Sequence, residues 1–301
     1  MAMSVEPKPP ELPLPGGRPD ATVRLRPLLT GEMGAPPGLL ARPSGRFALP
    51  RGLGLGRSRR NWLWVPIPAF LIEHPGAGPF LVDTGLHPSI AIDPGQSYGR
   101  VGGFLNSFRM RPEQAVSARL RERGIDRADI PLVVMTHLHT DHASAVSEFP
   151  EATFLVDRRE WDSAIGPRGL FRGYRRQQFD YGFDWRALDY DAPDVDSFAT
   201  FGHSVDLFGD GSVLLLSTPG HTLGHQSLLV RLRGREALIC GDAAYTRRAI
   251  EEDITPLLMH DEHRFFRSLR EIRRFVERTP GLVVIPGHDR EVWPTLDEVY
   301  E

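Results

Sequence analysis

Apolar residues run almost without a break from Trp62 to Glu73 and again from Pro79 to Asp83, with Pro75-Gly76-Ala77-Gly78 between them. Short apolar runs bounded by Gly and Pro mark buried strands, so this spacing predicts a hairpin whose second strand ends at Asp83-Thr84-Gly85. Upstream, Val23 and Leu25 alternate with polar neighbours, which predicts a first strand around Thr22 to Arg26. Gly and Pro recur from Gly31 to Arg60, so this stretch reads as a long loop carrying Leu39, Leu40, Phe47 and Leu49. Pro112 to Arg123 has amphipathic helical spacing, with Pro at its start and Gly124 at its end. Leu132 to Met135, Ala152 to Val156 and Ser212 to Ser217 read as short core strands. Gln226 to Arg231 and Glu236 to Ile239 read as a pair joined at Arg233-Gly234. His263 to Arg278 predicts a second amphipathic helix and Leu282 to Ile285 a last strand.

Composition narrows this pattern without deciding it. With 301 residues, 41% of them hydrophobic, the chain can bury a large core. Residues 1–20 are rich in Pro and Gly and read as a flexible N-terminal arm, leaving residues 21–301 as one catalytic domain. A formal charge of -3 gives no field that would gather nucleic acid or an anionic membrane. Lys8 is the only lysine, and the arginines are scattered rather than stacked on one face. The single cysteine, Cys240, rules out an intrachain disulfide and reads as a small buried apolar residue. The N-terminus lacks a secretion pattern, and no apolar run approaches the roughly 18 residues of a membrane span, so a soluble cytoplasmic protein is expected. The Pro-rich arm and the long loop suggest a homodimer.

Chemistry enters at His137-Leu138-His139-Thr140-Asp141-His142, directly after a predicted strand. In extended chain, side chains at 137 and 139 fall on one side and can face one ion, while Asp141 and His142 lie further round and can reach a second. Imidazole and carboxylate suit zinc and similar divalent metals. Further ligands are on offer at the ends of three predicted strands: His221 in Pro219-Gly220-His221, Asp242 in Cys240-Gly241-Asp242, and His288 in Pro286-Gly287-His288. Alone, His142 reads as a surface histidine and Asp242 as a turn residue; their joint order makes the case. His74, His87, His203, His225, His260 and His263 have no place in the pattern and read as structural or exposed.

Over residues 21–290 this order resembles the metallo-β-lactamase superfamily. The resemblance implies an α/β (α+β) fold, the four-layer αββα sandwich, with two Zn2+ per chain, Fe, Co or Mn being alternatives. It assigns His137, His139 and His221 to the first metal, and Asp141, His142 and His288 to the second. Asp242 would bridge both, and Asp83 would support the ligand loop. Histidine at 139 argues against the flavodiiron oxygen reductases, and histidine at 142 against the zinc β-lactamases. Hydrolysis by a metal-bridging hydroxide follows, with Asp141 passing the proton; no serine or cysteine nucleophile is needed.

Asp242-Ala243-Ala244-Tyr245 is similar to the N-acyl-homoserine lactonases, which implies that Tyr245 donates a hydrogen bond to the lactone. The implied partner is therefore a small-molecule lactone or ester. The competing reading of Tyr245 is a residue packed at a strand end. Rival activities are a glyoxalase II-like thioesterase, an organophosphate triesterase, a mononuclear iron persulfide dioxygenase and a non-enzymatic metal-binding protein. Leu39, Leu40, Phe104, Phe108 and Met110 are candidates for an acyl groove. Phe171, Tyr174, Phe179, Tyr181, Phe183 and Trp185 are candidates for its rim or for an oligomer surface.

Overall fold

Successive residues of a strand point to opposite faces, and that alternation sorts the apolar side chains into layers in the computed structural model, which describes residues 5–56, 58–193 and 195–301. Seven strands form the first sheet: β1 (Arg24–Ala35), β2 (Leu63–His74), β3 (Gly78–Val82), β4 (Phe108–Arg109), β5 (Leu132–Val134), β6 (Thr153–Asp157) and β7 (Asp184–Leu188), in the order β4-β1-β2-β3-β5-β6-β7. Six form the second: β8 (Asp196–Phe198), β9 (Phe201–Asp206), β10 (Val213–Ser217), β11 (Gln226–Leu232), β12 (Arg235–Gly241) and β13 (Val283–Pro286), in the order β13-β12-β11-β10-β9-β8.

Phe70, Ile72, Phe80, Val82, Leu132 and Val134 of the first sheet meet Leu215, Leu228, Val230 and Ile239 of the second in one buried cluster between the sheets. Their sequence neighbours Leu71, Leu81, Val133 and Met135 face outward and pack with Val116, Leu120 and Trp161 from the helices Val116–Arg121 and Arg158–Ile165. On the far side Leu229, Leu238 and Cys240 pack beneath Phe265, Leu269 and Ile272 of the helix Glu262–Arg278. The layers are thus helix, sheet, sheet, helix. Burial pushes the Cys240 thiol up to about 12, in keeping with an inert packing residue.

Several elements depart from the expected bounds. β1 is 12 residues long and pairs with β2 along its length. The register shifts between Leu29 and Gly31, which breaks the two-residue period and disguises the strand beyond Arg26. The expected long loop therefore begins at Pro36, and it folds two short helices, Pro37–Leu40 and Ala48–Gly52. Pro112–Arg123 is not one helix: a turn at Pro112–Gln114 is separated from Val116–Arg121 by extended backbone at Ala115. A helix at Pro94–Leu105, holding four glycines, carried no periodic signal. Part of the N-terminal segment hydrogen-bonds to the sandwich: Ala187 donates to the Lys8 carbonyl (2.9 Å), Lys8 to the Trp185 carbonyl (3.0 Å) and Leu14 to the Leu207 carbonyl (2.8 Å). Among the described residues no helix is long and apolar enough to cross a membrane.

Candidate metal centre

The ligand candidates stand at strand ends along one edge of the sandwich. The run from His137 to His142 follows β5 on the first sheet, whereas His221, Asp242 and His288 follow β10, β12 and β13 on the second. The fold brings the seven side chains into two groups. His137, His139, His221 and Asp242 form one, and Asp141, His142 and His288 the other, the ligand atoms of each lying within 4.8 Å of one another. Asp242 faces both. Its Oδ2 lies 3.2 Å from His221 Nε2 and 3.8 Å from His137 Nε2, and its Oδ1 lies 3.3 Å from His142 Nε2 and 3.2 Å from His288 Nε2. Asp141 Oδ2 is 3.5 Å from His288 Nε2.

The outer nitrogen of most of these rings is tied elsewhere, which fixes the tautomer and turns a lone pair inward. His142 Nδ1 donates to Asp83 Oδ2 (2.7 Å), His288 Nδ1 to the Pro66 carbonyl (2.9 Å) and His139 Nε2 to the Arg172 carbonyl (2.8 Å). His137 Nδ1 lies 3.1 Å from Thr136 Oγ1, whose own proton goes to Asp83 Oδ2 (2.7 Å). Burial holds the imidazoles of His137, His139 and His221 below their ordinary range, the neutral form that a metal binds. Burial opposes charge on Asp242 too, but His288, His142 and His221 outweigh it and keep the carboxyl well below the usual carboxylate range. Among the described residues, His137 Nε2, His142 Nε2 and Asp242 Oδ1 are buried without hydrogen-bond partners. Unpaired buried groups of this kind are costly. An inward-facing nitrogen and oxygen set with these orphaned atoms fits divalent cations, and the two groups suit a two-metal site.

Tyr245 is buried between the groups, its ring 5.6 Å from that of His221 and 5.2 Å from that of His288, with its hydroxyl 3.5 Å from His221 Nδ1. Burial keeps the phenol protonated, well above its usual range. A cavity of about 580 Å³ opens over these groups, within the ordinary size of a small-molecule site. Leu39 and Leu40 line it, as do Phe171 and Tyr174. Phe108 and Met110 pack instead beside Tyr98 in a small satellite core, and Phe104 is 77% exposed. Phe179 and Trp185 are core residues, against which Tyr181 and Phe183 pack.

Two supports escaped the pattern in the sequence. His225 is buried with its neutral form strongly favoured, burial lowering it to about 3; its Nε2 accepts the Asp242 backbone N–H at 2.9 Å. Gly241 makes room for it: a Cβ there would meet His225 Nε2 at 2.7 Å, on backbone with φ +52°. Glu160, fully buried, accepts from the backbone of Leu138 (2.9 Å) and Gly224 (3.3 Å), one from each histidine loop. Lying in the first turn of a helix, it has an ordinary helix-start signature and no other signal.

Comparison with known proteins agrees with this geometry. The family model of the metallo-beta-lactamase superfamily matches residues 62–288. The N-acyl homoserine lactonase AttM of Azorhizobium caulinodans is 37% identical over 237 residues, covering 77% of this chain and 85% of that protein. A probable metallo-hydrolase of Mycobacterium tuberculosis is 32% identical over 232 residues, 72% of each chain. The solved structure of an N-acyl homoserine lactone hydrolase, with N-hexanoyl-L-homoserine at its catalytic metal centre, superposes with a TM-score of 0.72 over 92% of this chain and 97% of that one, at 23% identity.

Proposed function

We propose that this chain, which belongs to the metallo-β-lactamase superfamily, opens a lactone ring, that of N-acyl-homoserine lactones, at a centre holding two zinc ions. The observation that carries the reading is the position of Tyr245: a protonated phenol packed against one histidine of each group, lining a cavity that aliphatic side chains also line. Relatives named as lactonases support it. His137, His139 and His221 would hold one ion, Asp141, His142 and His288 the other, and the two oxygens of Asp242 would serve both. When bound, such ions supply Lewis acidity toward an ester carbonyl and lower the pKa of water to the neutral range.

The protein's own part is orientation and proton handling. Tyr245 donates to the ester oxygen on which charge develops, and burial in low dielectric strengthens that bond. Asp141, the most exposed of the three acidic or imidazole groups in its cluster, receives the proton of the attacking water and returns it to the alkoxide released by the ring. Leu39, Leu40, Leu258 and Met259 present an apolar wall for an acyl chain.

Elemental analysis should find two divalent metals per chain, and a pH-indicator assay should show ring opening of N-acyl-homoserine lactones well above that of thioesters or aryl phosphotriesters. The reverse order of substrates would transfer the site to another ester class, and one iron per chain with oxygen uptake would remove the hydrolase reading. Tyr245→Phe should lower kcat on the order of 100-fold with metal content unchanged; unaltered kinetic constants would remove Tyr245 from the mechanism.

A further inference from the structure

Three segments border the cavity: residues 36–60 through Leu39 and Leu40, residues 94–111 through Tyr98 and Asn106, and residues 166–178 through Leu170 and Phe171. Arg59 ties the first to the second, donating to the Phe104 carbonyl at 3.1 Å with its Cζ 5.7 Å from the centre of the Phe104 ring. Arg175 ties the third to the second, its Cζ 6.0 Å from the centre of the Tyr98 ring. The segments hold six, three and four arginines, so they carry thirteen of the chain's 36 basic side chains and none of its 39 acidic ones. The formal charge of -3, which by itself argues against an anionic membrane, thus conceals a positive region set beside an acidic remainder. Arg42 is paired with Glu262 and Arg176 with Asp180. Arg46, Arg60, Arg100 and Arg168 are exposed and pair with no carboxylate among the described residues.

The same segments hold large apolar side chains in water. Phe171 is 91% exposed, Phe104 77% and Phe47 64%, and Leu55, Val101 and Leu170 are exposed as well. Apolar groups gathered in this way mark a contact surface. Nucleic acid would meet the arginines and leave the phenyl rings wet. A second copy in a two-fold contact would set like charge against like. A bilayer containing anionic lipid offers both of the required partners, a negative surface and an apolar layer beneath it.

We propose that the face bearing this cavity docks on a membrane surface containing anionic phospholipid, with Phe47, Phe104 and Phe171 entering the headgroup layer and the exposed arginines meeting phosphates. The cavity then opens toward the bilayer. Docking of this kind does not depend on which ester the site cleaves.

Co-sedimentation with vesicles in about 0.1 M salt tests it, comparing phosphatidylcholine alone with phosphatidylcholine containing roughly 30% phosphatidylglycerol. The protein should bind the anionic vesicles at least about tenfold more tightly, and the difference should shrink as salt rises. Arg46→Glu, Arg60→Glu and Arg168→Glu combined should weaken that binding on the order of 100-fold. Arg267→Glu, Arg270→Glu and Arg274→Glu, on the helix Glu262–Arg278, change the net charge equally and should leave it within about twofold. Phe47→Ser with Phe104→Ser should weaken binding about tenfold while Tm holds, since both rings are exposed. Equal binding to the two kinds of vesicle, equal losses from the two arginine triples, or a serine pair that binds like the wild type would each overturn the proposal. So would a dimer in sedimentation velocity that the serine pair dissolves, with no binding to vesicles; it would assign the surface to a second copy of the chain.

Discussion

Glu160 shows how a single side chain ties the two histidine loops together. Its carboxyl sits beneath them, and burial raises it to about 7 despite hydrogen bonds from Thr222, Leu138 and Tyr174. The folded chain therefore keeps this proton up to about pH 7, while the unfolded chain releases it near the ordinary value of 4.5. Stability from the group is full below the lower value and is lost as pH rises through the higher one. In metal-free protein, Glu160→Gln should gain on the wild type by on the order of 3 kcal/mol between about pH 4.5 and 7.5. Denaturant titrations of both proteins across that range measure it, and a constant difference would mean that Glu160 is ionised throughout. The seven ligand candidates were legible from sequence because their chemistry is in their residue types and order. Glu160 was not, because its role depends on which two backbone N–H groups the fold delivers to it.

At the scale of elements, the turn after β3 decides how the first histidine loop is held. Asp83 takes a left-handed backbone conformation, φ 57°, and its carboxylate accepts from Thr136 N (2.8 Å), Thr136 Oγ1 (2.7 Å) and His142 Nδ1 (2.7 Å). Thr84 and Gly85 then donate their backbone N–H groups to the His142 carbonyl, at 2.9 and 3.1 Å. Asp83→Ala would strand three buried donors, so we expect a loss of about 2–4 kcal/mol of stability and a 10–100-fold weaker affinity for metal at the second group. Competition with a chromogenic chelator reads the affinity; an unchanged value would show that the loop holds its shape without Asp83. The hairpin that ends in this turn could be read from its apolar runs. β1 could be read only up to Arg26, since Pro27 and the register shift at Gly31 interrupt the alternation that marks a strand, and its pairing with β2 supplies what local pattern lacks.

Across the whole molecule, the two sheets are joined differently at their two edges. Away from the site, His74 Nε2 lies 3.1 Å from Asp210 Oδ2 and 3.0 Å from Ser212 Oγ, and Arg18 donates its backbone N–H to the same aspartate at 2.8 Å. These contacts link the β2–β3 turn, the loop before β10 and the N-terminal segment through hydrogen bonds that need no ion. At the site edge the link runs through His137 to His142 from one sheet and His221, Asp242 and His288 from the other. Bound cations there would clamp the sandwich shut, and their removal should loosen that edge first. We expect chelation to lower Tm on the order of 10 °C, reversibly on zinc addition. Hydrogen exchange should quicken in residues 137–142, 218–226 and 241–245, while residues 74–78 and 206–212 keep their protection. Exchange that rose equally at both edges would show instead that the ions stabilise the fold as a whole and that the edges do not open independently.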